Sequence, residues 1–300
     1  MAGSAASASM NPTTLQPARG LWSDAWQVLR RNRAAMASLV LLGCMAVGVV
    51  VGPWLSPWDY DYTDWARIST GPALSTGHVF GTDALGRDLF VRTLYGGRIS
   101  LLVGVVATAV SLLIGIAWGA VAGYVGGRTD RLMMRIVDIL YALPFMFLVI
   151  LLMVLFGRNI LLIFVAIGAI NWLDMARIVR GQALSLRQRE FIDAARVGGV
   201  TTPKIIRRHI VPNLLGVVMV YATLTVPQVI LVESFLSFLG LGVQEPMTSW
   251  GALVNEGAQE LENAPWTLLF PAGFLALTLF CFNFLGDGLR DALDPRDRAS

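Results

Sequence analysis

Charge is scarce in this chain: 14% of its 300 residues are charged, where a soluble domain carries about 25%. Lysine is nearly absent. Lys204 is the only one, and the other basic residues are arginines, a bias that reads as codon usage rather than chemistry. Two cysteines, Cys44 and Cys281, sit in separate apolar runs with no C-x-x-C pair and no histidine nearby. This excludes a redox pair or zinc knuckle and predicts buried, inert thiols. No apolar run carries a charged side chain near its middle, which argues against an ion-coupled carrier, a proton relay or a voltage sensor. A catalytic constellation at membrane depth is missing too, as is the G-x-x-x-x-G-K-[ST] phosphate loop. A membrane chain with neither catalytic groups nor its own energy source is either a passive channel or is driven by a partner.

What the chain has in quantity is apolar length. Hydrophobic residues make up 55% and mean hydropathy is +0.64. Six runs, at 34–55, 101–125, 136–157, 159–176, 212–232 and 265–286, each approach the roughly 20 residues that cross a bilayer as a helix. The expected fold is an all-α polytopic membrane protein with six transmembrane helices. Pro144, Pro227 and Pro271 lie inside runs, where prolines are tolerated and mark kinks. A tight turn at Gly157–Arg158 separates the third run from the fourth. With the N-terminus in the cytoplasm, eighteen of the 23 basic residues fall on inner segments and five on outer ones. That positive-inside bias places both termini in the cytoplasm. The last outer segment, 233–264, agrees, holding Glu233, Glu245, Glu256, Glu260 and Glu262 and no basic residue.

Residues 1–20 read as a disordered tail, and 21–33 as an interfacial helix with Trp22, Trp26 and Leu29 on one face or simply the polar flank of the first span. Small residues recur every fourth position at Ala107, Ser111, Gly115, Gly119 and Gly123. Such a row serves close helix packing, either within the chain or against a second membrane subunit.

The inner segment "EFIDAARVGGVTTPKIIRRHIVPN" (190–213) is longer than a connection needs. Glu190 to Val197 reads as a short helix with Glu190, Asp193 and Arg196 on one face, and small Ala194 and Ala195 admit close approach of another surface. Gly198-Gly199 ends it. Thr202 then caps a second helix with Pro203 at its first position, and Pro212 opens the next span. A rigid helix–turn–helix at the membrane surface suits a lever to a docked partner; the alternative is a solvated basic loop serving topology alone. In "GTDALGRDLFVR" (81–92), Thr82 or Asp83 is expected to cap an outer helix made amphipathic by Arg87, Asp88 and Arg92, a structural role or a substrate contact.

The inner segment resembles the E-A-A-x-x-x-G-x9-I-x-L-P loop of ABC importer permeases. It is read here as Asp193-Ala194-Ala195, Gly199 and His209-Ile210-Val211-Pro212, with Asp193 for Glu, His209 for Ile and Val211 for Leu. Residues 81–92 resemble the G-T-D-x-x-G-R-D-x-x-S-R segment of peptide/nickel importer permeases, with Val91 for Ser. The stretches 233–251 and 285–296 are similar to the same family. The resemblance implies the type I importer (MetI-like) transmembrane fold, with an N-terminal permease region at 21–75, a transmembrane domain at 96–290 containing a coupling loop at 188–212, and a tail at 291–300. It implies a multi-pass protein of a bacterial inner membrane that is not an enzyme. Implied partners are a second, homologous permease, two ABC ATPase subunits, an extracytoplasmic substrate-binding protein and membrane lipid, with no nucleic acid. It implies no cofactor and no metal on this chain, with ATP and Mg on the ATPases. Glu190, Asp193, Ala194, Ala195, Arg196 and Gly199 would form the ATPase-docking coupling helix. Gly81, Thr82, Asp83, Gly86, Arg87 and Asp88 would be the outer structural motif. Peptides are the implied substrate, with nickel chelates, glutathione and haem also open within the family. An ATPase-independent channel or carrier, and a scaffold without transport, are the competing classes.

Overall fold

In lipid, a backbone must satisfy its own polar groups, and the helix does so locally. All the long elements among the described residues are helices. The computed structural model describes residues 21–157 and 160–293. The expected tail over 1–20, the end of the C-terminal tail and Arg158 lie outside them.

Helix α1 (Leu21–Arg31) leads into α2 (Arg33–Leu55) through Asn32, whose side chain accepts from the Ala35 amide at 3.1 Å. Of the face read from Trp22, Trp26 and Leu29, the Trp22 side chain lies outside the described residues, and the other two differ in burial. Leu29 and Ala25 are buried against Ala35 and Ala292, while Trp26 is exposed with the Arg30 guanidinium 5.3 Å above its ring. Burial against the chain's own C-terminal helix takes up that apolar face.

After an irregular segment comes α3 (Leu89–Val125), 37 residues without a break and about 55 Å long at 1.5 Å per residue. It starts well before the apolar run because Asp88 caps it, accepting from the Val91 amide at 2.8 Å. The cap is therefore Asp88, not Thr82 or Asp83.

The run 136–157 is not one helix. Chain direction changes at Leu143–Pro144, both extended, between α4 (Gly127–Ala142) and α5 (Phe145–Phe156). Proline lacks the amide that would continue α4 and pushes the residue before it out of the helical region. The 12 residues of α5 reach about 18 Å, short of a hydrocarbon core of roughly 30 Å. Pro227 and Pro271, by contrast, lie inside unbroken helices.

The remaining elements are α6 (Ile160–Arg187), α7 (Glu190–Val197), α8 (Thr202–Ile205), a wide π turn (Ile206–Ile210), α9 (Val211–Phe238), α10 (Trp250–Gln259) and α11 (Trp266–Leu293). Among the described residues, four helical stretches are long and apolar enough to cross a membrane: α2, α3, 202–238 and α11. Two expectations fail within 202–238. Thr201, not Thr202, is the N-cap and makes no side-chain cap bond. The helix is also already running when it reaches Pro212.

Glu233 is not in an outer loop. It lies in the last turns of α9, fully buried, and accepts from Ser237 Oγ at 2.7 Å and Ser100 Oγ at 3.1 Å. Ser100 Oγ also accepts from the Trp250 amide at 3.2 Å, so one polar knot ties α3, α9 and α10. Cys281 is buried as expected, whereas Cys44 is exposed on α2.

The small-residue row packs within the chain. A Cβ added at Gly115 would lie 2.6 Å from Met175 Cβ, at Gly119 2.5 Å from the Ala176 carbonyl oxygen, and at Gly123 2.6 Å from that of Arg180. Helix α3 thus presses on α6 backbone to backbone. In an unconstrained helix, Gly→Ala stabilises by about 1 kcal/mol. Here Gly119→Ala should instead lower stability by about 1–3 kcal/mol by prising the helices apart. Gly216→Ala, with no atom within 4 Å, serves as control. Thermal midpoints in detergent should fall for the first only; equal midpoints would refute the close packing.

Candidate functional site

Two sites carry the polar chemistry, one at each end of α3. The one at its C-terminal end is α7. Its first turn holds Glu190 and Asp193, which suit the positive end of a helix. Its C-terminus is a Schellman turn: the Val200 amide bonds the Ala195 carbonyl and the Gly199 amide the Arg196 carbonyl, both at 3.0 Å. This needs a left-handed residue, supplied by Gly199 at φ +75°.

One face of α7 is anchored. Ile192 is 0% exposed, in a cluster with Ile205, Ile210, Leu214 and Tyr124. Ala195 is half-buried against the same cluster. Arg196 donates from Nη1 to Asp193 at 3.0 Å and from Nε to the Tyr124 hydroxyl at 3.3 Å, with its guanidinium 5.2 Å from the Tyr124 ring centroid. The Tyr124 hydroxyl, aided by Asp193, holds that guanidinium above the usual arginine range. The opposite face is open. Glu190, Asp193 and Ala194 are exposed, and so are Phe191 and Val197, the latter 91%.

Sequence reasoning brought together Asp193 and Arg196 correctly. Glu190 makes no ion pair among the described residues. Phe191 and Val197 were missed, although large apolar residues on a short charged helix were a readable signal for a partner. Tyr124 was missed for a different reason, since only the fold sets it under α7. His209, the odd residue in the motif, lies beside Phe191 with ring centroids 6.5 Å apart.

The second site, at the N-terminal end of α3, is built from 81–92. Gly81 (φ +81°) and Gly86 (φ +76°) let the loop fold tightly; a Cβ at Gly86 would fall 2.2 Å from the Asp64 carbonyl oxygen. The Thr82 hydroxyl accepts from the Thr70 amide at 2.9 Å. Asp83 accepts from the Leu85 and Arg87 amides, both at 2.9 Å, from Arg87 Nε at 2.7 Å and from Arg92 Nη1. Arg92, 1% exposed, reaches Glu256 of α10 at 2.8 and 3.1 Å. Arg87 reaches Glu245 at 2.8 Å. Burial opposes the charge on Arg87, but hydrogen bonds to Glu245 and Asp83 outweigh it and hold the guanidinium above its ordinary range. Asp88 also pairs with buried His78 at 2.8 Å.

This is an ion cluster that fastens the segment before α3, α3 itself and α10 together. The cleft beside it, about 220 Å³, is smaller than the roughly 300–1,000 Å³ typical of ligand pockets. No group of three His, Cys, Asp or Glu among the described residues is placed to hold a metal ion.

Long apolar helices with a capped, half-exposed elbow at one end define a polytopic membrane protein. Comparison with known families specifies the type: the chain belongs to the family of binding-protein-dependent transport system inner membrane components, whose model matches residues 115–298. The model for the N-terminal TM domain of oligopeptide transport permease C matches residues 20–72. The chain is 62% identical over 280 residues to the oligopeptide transport system permease protein OppC of Escherichia coli K12, covering 93% of each. It is 61% identical to OppC of Haemophilus influenzae, covering 93% of this chain and 90% of that one. To the dipeptide transport system permease protein DppC of Bacillus subtilis it is 49% identical, covering 94% and 88%. It is a multi-pass inner-membrane protein.

Proposed function

We propose that this chain is one of two membrane subunits of an ATP-driven importer of oligopeptides or dipeptides, forming half of the translocation path. The observation that carries the reading is 62% identity to an oligopeptide permease over 93% of both chains, joined to the exposed, rigidly capped α7. The chain would cross the membrane six times, through α2, α3, the α4–α5 pair, α6, α9 and α11, with both termini inside. An extracytoplasmic binding protein delivers peptide to the outer mouth. Two ATPase subunits, which bind ATP and Mg, receive the open face of α7: Glu190, Asp193, Ala194, Val197 and the Gly199 turn. Closure of the ATPase pair on ATP moves α7, and the two permeases switch the path between inward- and outward-facing. This chain performs no chemistry itself.

The test is assembly and transport together. A tagged chain isolated from membranes should retain two ATPase subunits and a second permease, and deleting its gene should abolish peptide uptake. A chain that never retains an ATPase, yet conducts solute in liposomes, would refute the proposal.

A further inference from the structure

Helix α7 is tied differently to its two neighbours. Towards α3 and α6 the ties are polar. Only two residues, Gln188 and Arg189, separate it from α6, and the Arg189 amide bonds the Leu186 carbonyl at 3.0 Å. Arg187 Nη1 donates to the Val125 carbonyl at the end of α3, at 3.2 Å. Arg196 lies over the Tyr124 ring and donates to its hydroxyl. Tyr124 is itself buried, next to Gly123, where α3 closes on the α6 backbone.

Towards α9 the tie is apolar: Ile192 shares a buried cluster with Ile205, Ile210 and Leu214. Gly198-Gly199 is exposed, and nothing lies within 4 Å of where a Gly199 Cβ would be. The π turn at 206–210 then interrupts regular helical bonding, its next amide, Val211, bonding back to Ile206. Such turns are uncommon and concentrate at functional places.

We propose that Tyr124 is a positioning residue that locks α7 to the α3–α6 pair, so that displacement of α7 travels along α3 to the outer ion cluster. The inference rests on the docking role proposed for α7. The rod is continuous: α3 runs from Tyr124 to Arg92 without a proline or a break. At its far end Arg92 grips Asp83 and Glu256. Arginine suits the inner joint because a planar guanidinium stacks on a ring and donates in its own plane, which lysine does not.

Spatial continuity is not coupling, and a double-mutant cycle supplies the missing measurement. The complete transporter, with its partner subunits, is reconstituted in liposomes, and peptides imported per ATP hydrolysed are measured for Arg196→Gln, Tyr124→Phe and the double variant. A cysteine at Val197, cross-linked to the ATPase, reports docking. Arg196→Gln should lower the ratio about fivefold, and Tyr124→Phe, which keeps the ring, about twofold. The double variant should be no worse than Arg196→Gln, because both sever one contact. Cross-link yield should stay at the wild-type level throughout. An unchanged ratio in Arg196→Gln, strictly multiplicative losses in the double variant, or a cross-link that disappears with transport would each overturn the joint. Absence of the cross-link in the otherwise unaltered chain would instead overturn the docking role, before any Arg196 or Tyr124 variant is made.

Discussion

Ala194→Trp should reduce peptide uptake by the assembled transporter tenfold or more while leaving the chain folded in the membrane. Ala194 is exposed on α7, so its replacement meets no core atom, and surface changes of this kind alter stability by about 0.5 kcal/mol or less. A tryptophan there holds an approaching subunit away from the helix, and the loss reads directly on docking. Gly199→Pro tests the same elbow differently. Proline fixes φ near −65° and has no amide, whereas Gly199 sits at φ +75° and donates to Arg196. The turn must open and α7 re-aim. Uptake, membrane content and cross-linking to the ATPase, measured side by side, separate the two effects. Normal uptake in both variants would remove α7 from the transport mechanism.

Arg92→Met should be the most damaging change in the ion cluster. The side chain is 1% exposed and holds two carboxylates, Asp83 and Glu256. Removing one partner of a buried ion pair costs about 3–5 kcal/mol, because the other charge is left without compensation. The lower end, about 3 kcal/mol, applies here: Glu256 is partly open to water, which screens it, and Asp83 keeps Arg87. That is a large fraction of a typical folding free energy of about 5–15 kcal/mol. The purified chain should show a thermal midpoint well below that of the parent and a reduced yield from the membrane. Arg92→Lys, which restores charge but not the two-pronged contact with Glu256, should fall between them. A midpoint for Arg92→Met equal to the parent's would mean that the cluster fastens nothing.

The two ends of α3 show how differently readable these features were. The α7 boundaries, Glu190 and Val197, follow from local chemistry alone: acidic residues at the start, two glycines at the end. The Asp193–Arg196 pair is three residues apart on one helix and is equally local. The outer motif was recognisable as a motif but not as a structure. Its cap was assigned to Thr82 or Asp83 because both are good capping residues, yet Asp83 is engaged by Arg87 and Arg92 and the cap falls to Asp88. Glu256 and Glu245 lie more than 150 residues further along the chain, so no spacing rule could join them to the arginines. The third apolar run misled for the opposite reason. Composition counts apolar residues, and it does not register that Pro144 ends a helix where Pro227 and Pro271 leave theirs intact.

By itself, then, the sequence determined the helical membrane architecture, the capped elbow and the family, because these depend on apolar length, capping chemistry and local motifs. Tertiary structure alone decided which side chains meet across elements. The small-residue row faces α6, Glu233 accepts from serines of α3 and α9, and Tyr124 lies beneath Arg196. Such contacts are set by how whole helices rotate and cross as they bury one another, and that choice is made by the packing of all of them at once rather than by any one segment.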